Sequence, residues 1–322
     1  MAPQATRIVF LGMDSVYSTR VLHALYHRGH DVCLVIKPFG GLESRRRNIL
    51  TRSTYFTGVA ARAVNRLTHR LPAVDREETD PFHVAALFGT PCYVVGNASA
   101  LKARELIAKA EPDFICISFF NQLLKKSVLE IPRRATLNAH PSLLPAYRGP
   151  SPLFWMFKNG EREGGITIHA VDAGEDSGDV LQQEPVAIES GETGPHYLDK
   201  LADTAAALMV RAVDSVLDGS ARPLPQDPQR ASRHARPDHD DLQLRFDVPA
   251  QQVFGLVRGL SAWAPLWVDV DGHAFRVLDA TAVQPAARLG ADHALSGDEL
   301  LVQCQPGVVA LRILLRQTSM GQ

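Results

Sequence analysis

The sequence predicts an α/β fold, a parallel sheet flanked by helices, followed by a smaller mostly-β domain. Short apolar runs alternate with helical patterns through the first half of the chain. A stretch without period, rich in Pro, Arg, Asp and His, then interrupts the pattern at Ser220–Asp241 and reads as an exposed linker. Beyond it, apolar runs are separated mainly by glycines and polar residues, the grammar of a small barrel of the oligomer-binding type. The expected domains are 1–221, a linker over 222–245 and a C-terminal domain over 246–322, and 322 residues suffice for two.

Arg7–Leu11 is apolar enough for a buried strand, and Ser15–Arg28 follows as a helix that Gly29 is placed to end. Asp31–Ile36, Cys92–Val95, Asp113–Ser118 and Thr136–His140 continue the strands, with a helix over Leu101–Ala110. Gly164–Val171 reads as a strand, paired with Val180–Ile188 across the polar turn Asp172–Asp179. Gly194–Leu217 is the clearest helix: Leu198, Leu201, Ala205, Leu208, Ala212, Val213 and Val216 fall on one stripe, and Gly219 follows as a cap. In the C-terminal part a helix is expected over Ala250–Leu260, with strands at Leu266–Val270, Ala274–Val277, Leu300–Cys304 and Val308–Leu314. Lys37–Asp80 does not fit, being far longer than the usual connection of about 2–6 residues. It carries Arg45, Arg46, Arg47, Arg52, Arg62, Arg66 and Arg70, the composition of a solvated insertion or of a phosphate or RNA contact.

Hydrophobic residues make up 45% and charged residues 21%, a globular balance. Lys+Arg is 34 against Asp+Glu 35, so the chain is no bulk polyanion binder. No apolar run approaches the roughly 20 residues that cross a bilayer. No leader pattern is visible at the N-terminus. Cys33, Cys92, Cys116 and Cys304 are far apart, with no CxxC, and read as buried free thiols. A cytoplasmic location is therefore expected.

Only Gly12 follows the first strand, so a nucleotide fingerprint is absent, and the histidines have no spacing for a metal site. The informative residues are Asn138 and His140, two apart at the end of a strand and so on one face. Ligands of open α/β sheets bind beyond such strand ends. An Asn amide can donate to a developing oxyanion, and a His beside it can stabilise charge and move a proton. On its own, an Asn-x-His pair reads more often as a turn cap and a satisfied buried imidazole. The acidic turn Asp172, Glu175, Asp176, Asp179 tips the balance, because one carboxylate could orient His140. Spacing does not choose among the four.

Asn138-x-His140-Pro141-Ser142-Leu143-Leu144-Pro145-x-Tyr147-Arg148-Gly149, followed by GITIHxVDxGEDSGD, resembles the 10-formyltetrahydrofolate-dependent formyltransferases. That family includes enzymes acting on glycinamide ribonucleotide, methionyl-tRNA and amino sugars. Strong motif identity is confined to about Leu137–Leu181, and VFGLVRGLSAWAPLWVDVDG looks like the start of the C-terminal domain of the methionyl-tRNA enzymes. The resemblance implies a Rossmann-like catalytic domain with an open, oligomer-binding-type C-terminal barrel. It implies N10-formyltetrahydrofolate as co-substrate, no metal, and Asn138, His140 and Asp176 as catalytic residues. Asp176 holds the place of the Asp in the family's LDTG. Folate contacts are implied for Ser142, Leu143, Leu144 and Pro145, and for Phe120, Gln122 and Leu123 in the loop after the preceding strand.

The departures bear on the acceptor. The chain has KPFGGLESRRRNIL and a long insertion where the tRNA enzymes have a short basic loop. It has Arg148-Gly149-Pro150-Ser151-Pro152-Leu153-Phe154-Trp155 in place of RGAAP, a form closer to enzymes acting on sugar amines or hydroxyornithine-type amines. The expected acceptor is a small-molecule amine. Methionyl-tRNA is the alternative, and a formyltetrahydrofolate hydrolase, using water as acceptor, ranks below both.

Overall fold

The computed structural model describes residues 6–39, 50–52 and 79–315. Most of the Lys37–Asp80 insertion, with its arginine cluster, lies outside them. The chain divides into two compact units, each discontinuous in sequence. The first holds 6–39, 50–52, 79–148, 165–185 and 199–232; the second holds 149–164, 186–198 and 233–315.

The first unit is built on β1 (Arg7–Gly12), β2 (Asp31–Pro38), β3 (Leu50–Arg52), β4 (Cys92–Val95), β5 (Phe114–Ser118), β6 (Ala135–His140), β7 (Glu163–Ala170) and β8 (Val180–Ala187), with β7 and β8 running on into the second unit. Their order is β3-β4-β2-β1-β5-β6-β7-β8. The strands from β4 to β6 are parallel, as expected, but β3 and β7 run antiparallel to their neighbours, so the sheet is mixed. β5 is buried at every position, which explains its uninterrupted FICIS. The helices are α1 (Val16–His27), α2 (Pro81–Leu87), α3 (Leu101–Lys109), α4 (Lys126–Leu129) and α6 (Gly194–Asp218), the last mainly in this unit.

Local chemistry sets these boundaries. Ser15 caps α1 by accepting from the Ser18 amide, and Gly29 ends the turn behind the helix at φ +90°. α1 is fixed to the sheet from inside. The Ser18 hydroxyl donates to the Ser118 carbonyl at 2.8 Å, and the Tyr17 hydroxyl donates to the Ala139 carbonyl at 3.2 Å. That carbonyl sits between Asn138 and His140. On the outside, Arg20 pairs with Asp199 and Asp203, and Arg28 pairs with Asp214. α6 buries five of the seven residues of the stripe read from its sequence, Leu201, Ala205, Leu208, Ala212 and Val213, while Leu198 and Val216 are half-buried. At the foot of the insertion, Lys37 pairs with Asp80 at 2.9 Å and also with Asp14. Asp80 caps α2 through the Phe82 amide, with Pro81 at the first helical position.

In the second unit, β9 (Trp267–Val270), β10 (His273–Gln284), β11 (His293–Ser296), β12 (Glu299–Gln303) and β13 (Val308–Leu314) form an antiparallel half-barrel in the order β11-β12-β13-β10-β9. α5 (Pro152–Asn159) packs on α7 (Ala250–Leu260), which in turn packs on β10. β10 is three times the expected length. Its pairing with β13 shifts register around Asp279 and again around Ala282, which interrupts the apolar alternation that marks a strand. Segment 233–241 is held in this unit by two indoles. Trp155 stacks on His234 and donates to the Ala235 carbonyl, while Trp267 stacks on His239 and donates to its carbonyl.

All four cysteines are free; three are buried and Cys33 is half-buried. Among the described residues, no helix is long and apolar enough to cross a membrane.

Candidate active site

β6 ends at the carboxyl edge of the sheet, one strand beyond the point between β1 and β5 where the strand order turns back on itself. Asn138 is half-buried there and His140 is 4% exposed. β7 crosses antiparallel beside them, placing His169 opposite Asn138 and Thr167 opposite His140. The four side chains share one face because both strands alternate with period two. Ile166 and Ile168 of β7 take the other face, each wholly buried.

Hydrogen-bond partners assign the imidazole protons. His169 Nδ1–H donates to the Ala170 carbonyl at 2.9 Å, so in the neutral ring Nε2 accepts from the Asn138 amide at 3.1 Å. One Asn138 N–H is thereby used, and its second donor remains for another acceptor. His140 Nε2–H donates to the Tyr147 carbonyl at 3.0 Å. Its Nδ1 faces Asp176 Oδ2 at 3.6 Å, and the other carboxylate oxygen, Oδ1, lies 3.6 Å from His169 Nε2. Both separations exceed direct hydrogen-bond range, so the contacts are electrostatic, and a water or an amine beside the carboxylate could bridge each pair. The carboxylate thus stands between two imidazoles, with its side chain 15% exposed.

The acidic turn resolves into separate roles. Asp172 accepts from the Gly174 amide and the Ser177 hydroxyl and so shapes the turn. Asp179 is exposed. Asp176 alone of the four meets both histidines, and it does so from φ +54°, a left-handed conformation unusual for Asp. Tyr147, which accepts from His140, lies at φ +60°. Two non-glycine residues in this region flank one imidazole, the kind of strain that collects at functional sites. Gly178 permits the turn to fold back, since a Cβ there would overlap the Ala170 carbonyl.

Burial holds His140 below the ordinary imidazole range. The Asp176 carboxylate, the bond to Tyr147 and Glu175 oppose that shift, while His169 adds to it. The folded chain therefore keeps His140 neutral over a pH window in which the unfolded chain protonates it. Stability is present above about pH 6.5 and is lost as pH falls from there through the folded value. His23 and His30 are also held low by burial. The check is urea unfolding against pH for wild type and His140→Gln, with a shallower acid-side loss expected in the variant.

The loop after β6 is held by its own Ser142 and by side chains of β7 and β8. The Ser142 hydroxyl donates to the Ala146 carbonyl, and Thr167 Oγ1 donates to the Ser142 carbonyl while accepting from the Leu144 amide and Gln183. Leu144 is buried, whereas Leu143 and Pro145 are half-buried. In the loop after β5, Gln122 accepts from the Ala98 amide and donates to the Gly96 carbonyl, so both ends of its side chain are engaged. Phe120 packs against the core, and Leu123 is 71% exposed. Among the described residues, no three His, Cys, Asp or Glu side chains group as metal ligands. His169 was not singled out from the sequence. Its signal is the alternation Ile-Thr-Ile-His, which puts it on the face of Thr167, but only the register of β7 brings it to Asn138.

Comparison with known proteins matches the formyl transferase family over residues 73–213 and the formyl transferase C-terminal domain over residues 237–320. A methionyl-tRNA formyltransferase of Agathobacter rectalis is 27% identical over 307 residues, covering 95% of this chain and 90% of that protein. A methionyl-tRNA formyltransferase of Staphylococcus aureus strain MW2 is 29% identical over 283 residues, 87% and 80% of the two chains. The fold is that of an N-formyltransferase from Helicobacter canadensis solved with folinic acid and dTDP-3-aminofucose. Its TM-score is 0.66 at 13% identity, covering 96% of this chain and 100% of that one. A mixed Rossmann-like sheet followed by an antiparallel half-barrel, matched by both parts of one family across most of the sequence, makes this chain a member of the formyl transferase family.

Proposed function

We propose that this protein moves the formyl group of N10-formyltetrahydrofolate to the primary amine of a small-molecule acceptor, a sugar nucleotide or a biosynthetic amine. The observation that carries the reading is the meeting of Asn138, His140 and Asp176, with His169, at the carboxyl edge of the sheet. The acceptor nitrogen bonds to the formyl carbon, the bond from that carbon to N10 breaks, and the proton lost by the amine goes to the departing nitrogen. Asn138 directs its free N–H at the developing oxyanion, its other N–H being fixed by His169. His140, protonated during the reaction, balances that charge. Asp176 takes the proton from the attacking amine and relays it to His140 Nδ1, so the restored carboxylate faces the charged ring, and the same proton returns by that route to N10 as the bond to carbon breaks. Phe120, Leu123 and Leu143 offer apolar surface to the pterin, along with Leu144 and Pro145. Ser142 and Gln122 act by holding their loops, since their polar atoms are already paired. Residues 1–221 form the catalytic domain in this reading, and 246–322 form the accessory one.

The charge of the C-terminal part favours a small acceptor over tRNA. Residues 246–322 carry five arginines, no lysine and seven carboxylates. One of its cavities, of about 300 Å³, is lined by Asp247, Asp269 and Asp292. A surface that grips RNA neutralises phosphates with Lys and Arg. The names of the sequence relatives favour the second reading, methionyl-tRNA as acceptor. Tetrahydrofolate release is to be followed with initiator methionyl-tRNA, amino-sugar nucleotides and ω-amino acids offered in parallel. Turnover confined to a small amine is the expected result. Turnover on methionyl-tRNA with a KM that rises steeply with salt overturns the small-acceptor reading, and acceptor-independent formate release identifies a hydrolase.

A further inference from the structure

We propose that Gln226, with Ser232 behind it, positions both partners of His140 and so belongs to the catalytic apparatus, although it lies in the segment that reads as linker. This inference rests on the reading of Asp176 given above. The Gln226 side chain is saturated in one orientation. Its Oε1 accepts from Arg148 Nε at 3.1 Å and Nη2 at 2.6 Å, groups that only donate. Its Nε2 therefore faces two carbonyls, donating to Asp176 at 2.9 Å and to Gly178 at 2.7 Å. The backbone on which Asp176 sits at φ +54° is thus gripped from outside the acidic turn. Ser232 does the same for the other partner. Its hydroxyl accepts from the Tyr147 amide at 2.9 Å, its carbonyl accepts from the Arg148 amide at 2.9 Å, and its own amide donates to the Pro145 carbonyl at 3.1 Å.

Leu224 exchanges two backbone hydrogen bonds with Val180, each 2.9 Å, so the segment is anchored just ahead of Gln226. The pattern has a single geometric sense. Asp176 faces His140 Nδ1, Tyr147 faces His140 Nε2, and each lies in a left-handed conformation that persists only where its surroundings over-determine it. One strand of otherwise exposed chain supplies the determining bond at each. Gln226 does not touch the reacting atoms in this account; it acts through Asp176.

The test compares Gln226→Ala, Gln226→Glu, Asp176→Asn and Gln229→Ala, the last an exposed glutamine of the same segment. Gln226→Glu keeps the volume and the Arg148 pairing but cannot donate to the two carbonyls, so it guards against a simple packing defect. The primary readout needs no acceptor: the titration of His140, followed by NMR of histidine-labelled protein. Release of Asp176 removes an influence that raises the His140 pKa, so His140 is expected to titrate lower in both Gln226 variants than in wild type. With N10-formyltetrahydrofolate and the fastest acceptor of the panel above, kcat is expected to fall by up to about 10²-fold, with KM changed by less than about twofold. Gln229→Ala is expected to match wild type. An unchanged His140 titration in both Gln226 variants overturns the inference, as does full kcat. Loss of turnover in Asp176→Asn alone leaves the catalytic reading standing while this one falls. Full turnover in Asp176→Asn removes both.

Discussion

Asn138→Ala is expected to lose about 10²–10³-fold in kcat, the usual cost of removing one oxyanion donor. The side chain is half-buried, with one N–H engaged by His169 Nε2 at 3.1 Å. That bond fixes the amide plane, so the remaining N–H is already aimed before substrate arrives and needs no reorganisation. Truncation removes the donor and leaves His169 Nε2 facing Asp176 without its present donor. The backbone of β6 stays in register with β5 and β7 whatever the side chain, so the variant is expected to unfold close to wild type. Steady-state kinetics with a parallel melting curve checks both parts. A stable Asn138→Ala enzyme with undiminished kcat would contradict the role assigned to this amide.

Asp176→Asn is expected to cost about 10²–10⁴-fold in kcat, the range for loss of a positioned acid or base. The change keeps the shape and removes the charge. His140 Nε2–H is tied to the Tyr147 carbonyl, so its Nδ1 is the atom that must take a proton when the imidazole becomes charged. A carboxylate facing Nδ1 favours that event, whereas a carboxamide can turn its NH₂ toward Nδ1 and favour the neutral ring. His140 is already held low by burial and would be held lower. The variant also lacks a base for the proton of the attacking amine. The expected signature is low kcat with nearly unchanged KM for the donor, because the apolar residues assigned to the pterin are untouched.

Much of this architecture could be read from the residues. β4, α7 and β13 match their expected spans, because each is a periodic apolar run closed by Gly, Pro or a polar turn. α2 was missed although Asp80-Pro81 carries its start, since a seven-residue helix shows too little periodicity. α5 was missed because PLFWMFKN buries four of its large apolar side chains and so shows no polar face. The antiparallel sense of β7 was not legible either: a strand's sequence states which faces are apolar, not which way its neighbour runs. That sense decides the site, for it brings His169 to Asn138 and lets the acidic turn reach His140.

The same division holds within the site. Asn138 and His140 share a face by period two, which is local and readable. The choice of Asp176 over Asp172, Glu175 and Asp179 needed the family motif at the level of sequence. In the structure Asp172 is consumed by Gly174 and Ser177, and Asp176 lies 3.6 Å from His140 Nδ1. Gln226 was hidden for a different reason. It lies fifty residues beyond Asp176, in a stretch whose Pro, Arg and Asp content is that of any exposed connector. Its partners are backbone atoms, which leave no complementary residue type in the sequence.

The most direct test of the catalytic account is amine-dependent release of tetrahydrofolate from N10-formyltetrahydrofolate, measured side by side for wild type and Asp176→Asn across the acceptor panel. Release by wild type that requires an amine, and falls by at least about 10²-fold in Asp176→Asn, is the predicted result. Equal release by the two proteins, or release indifferent to every amine offered, would contradict it.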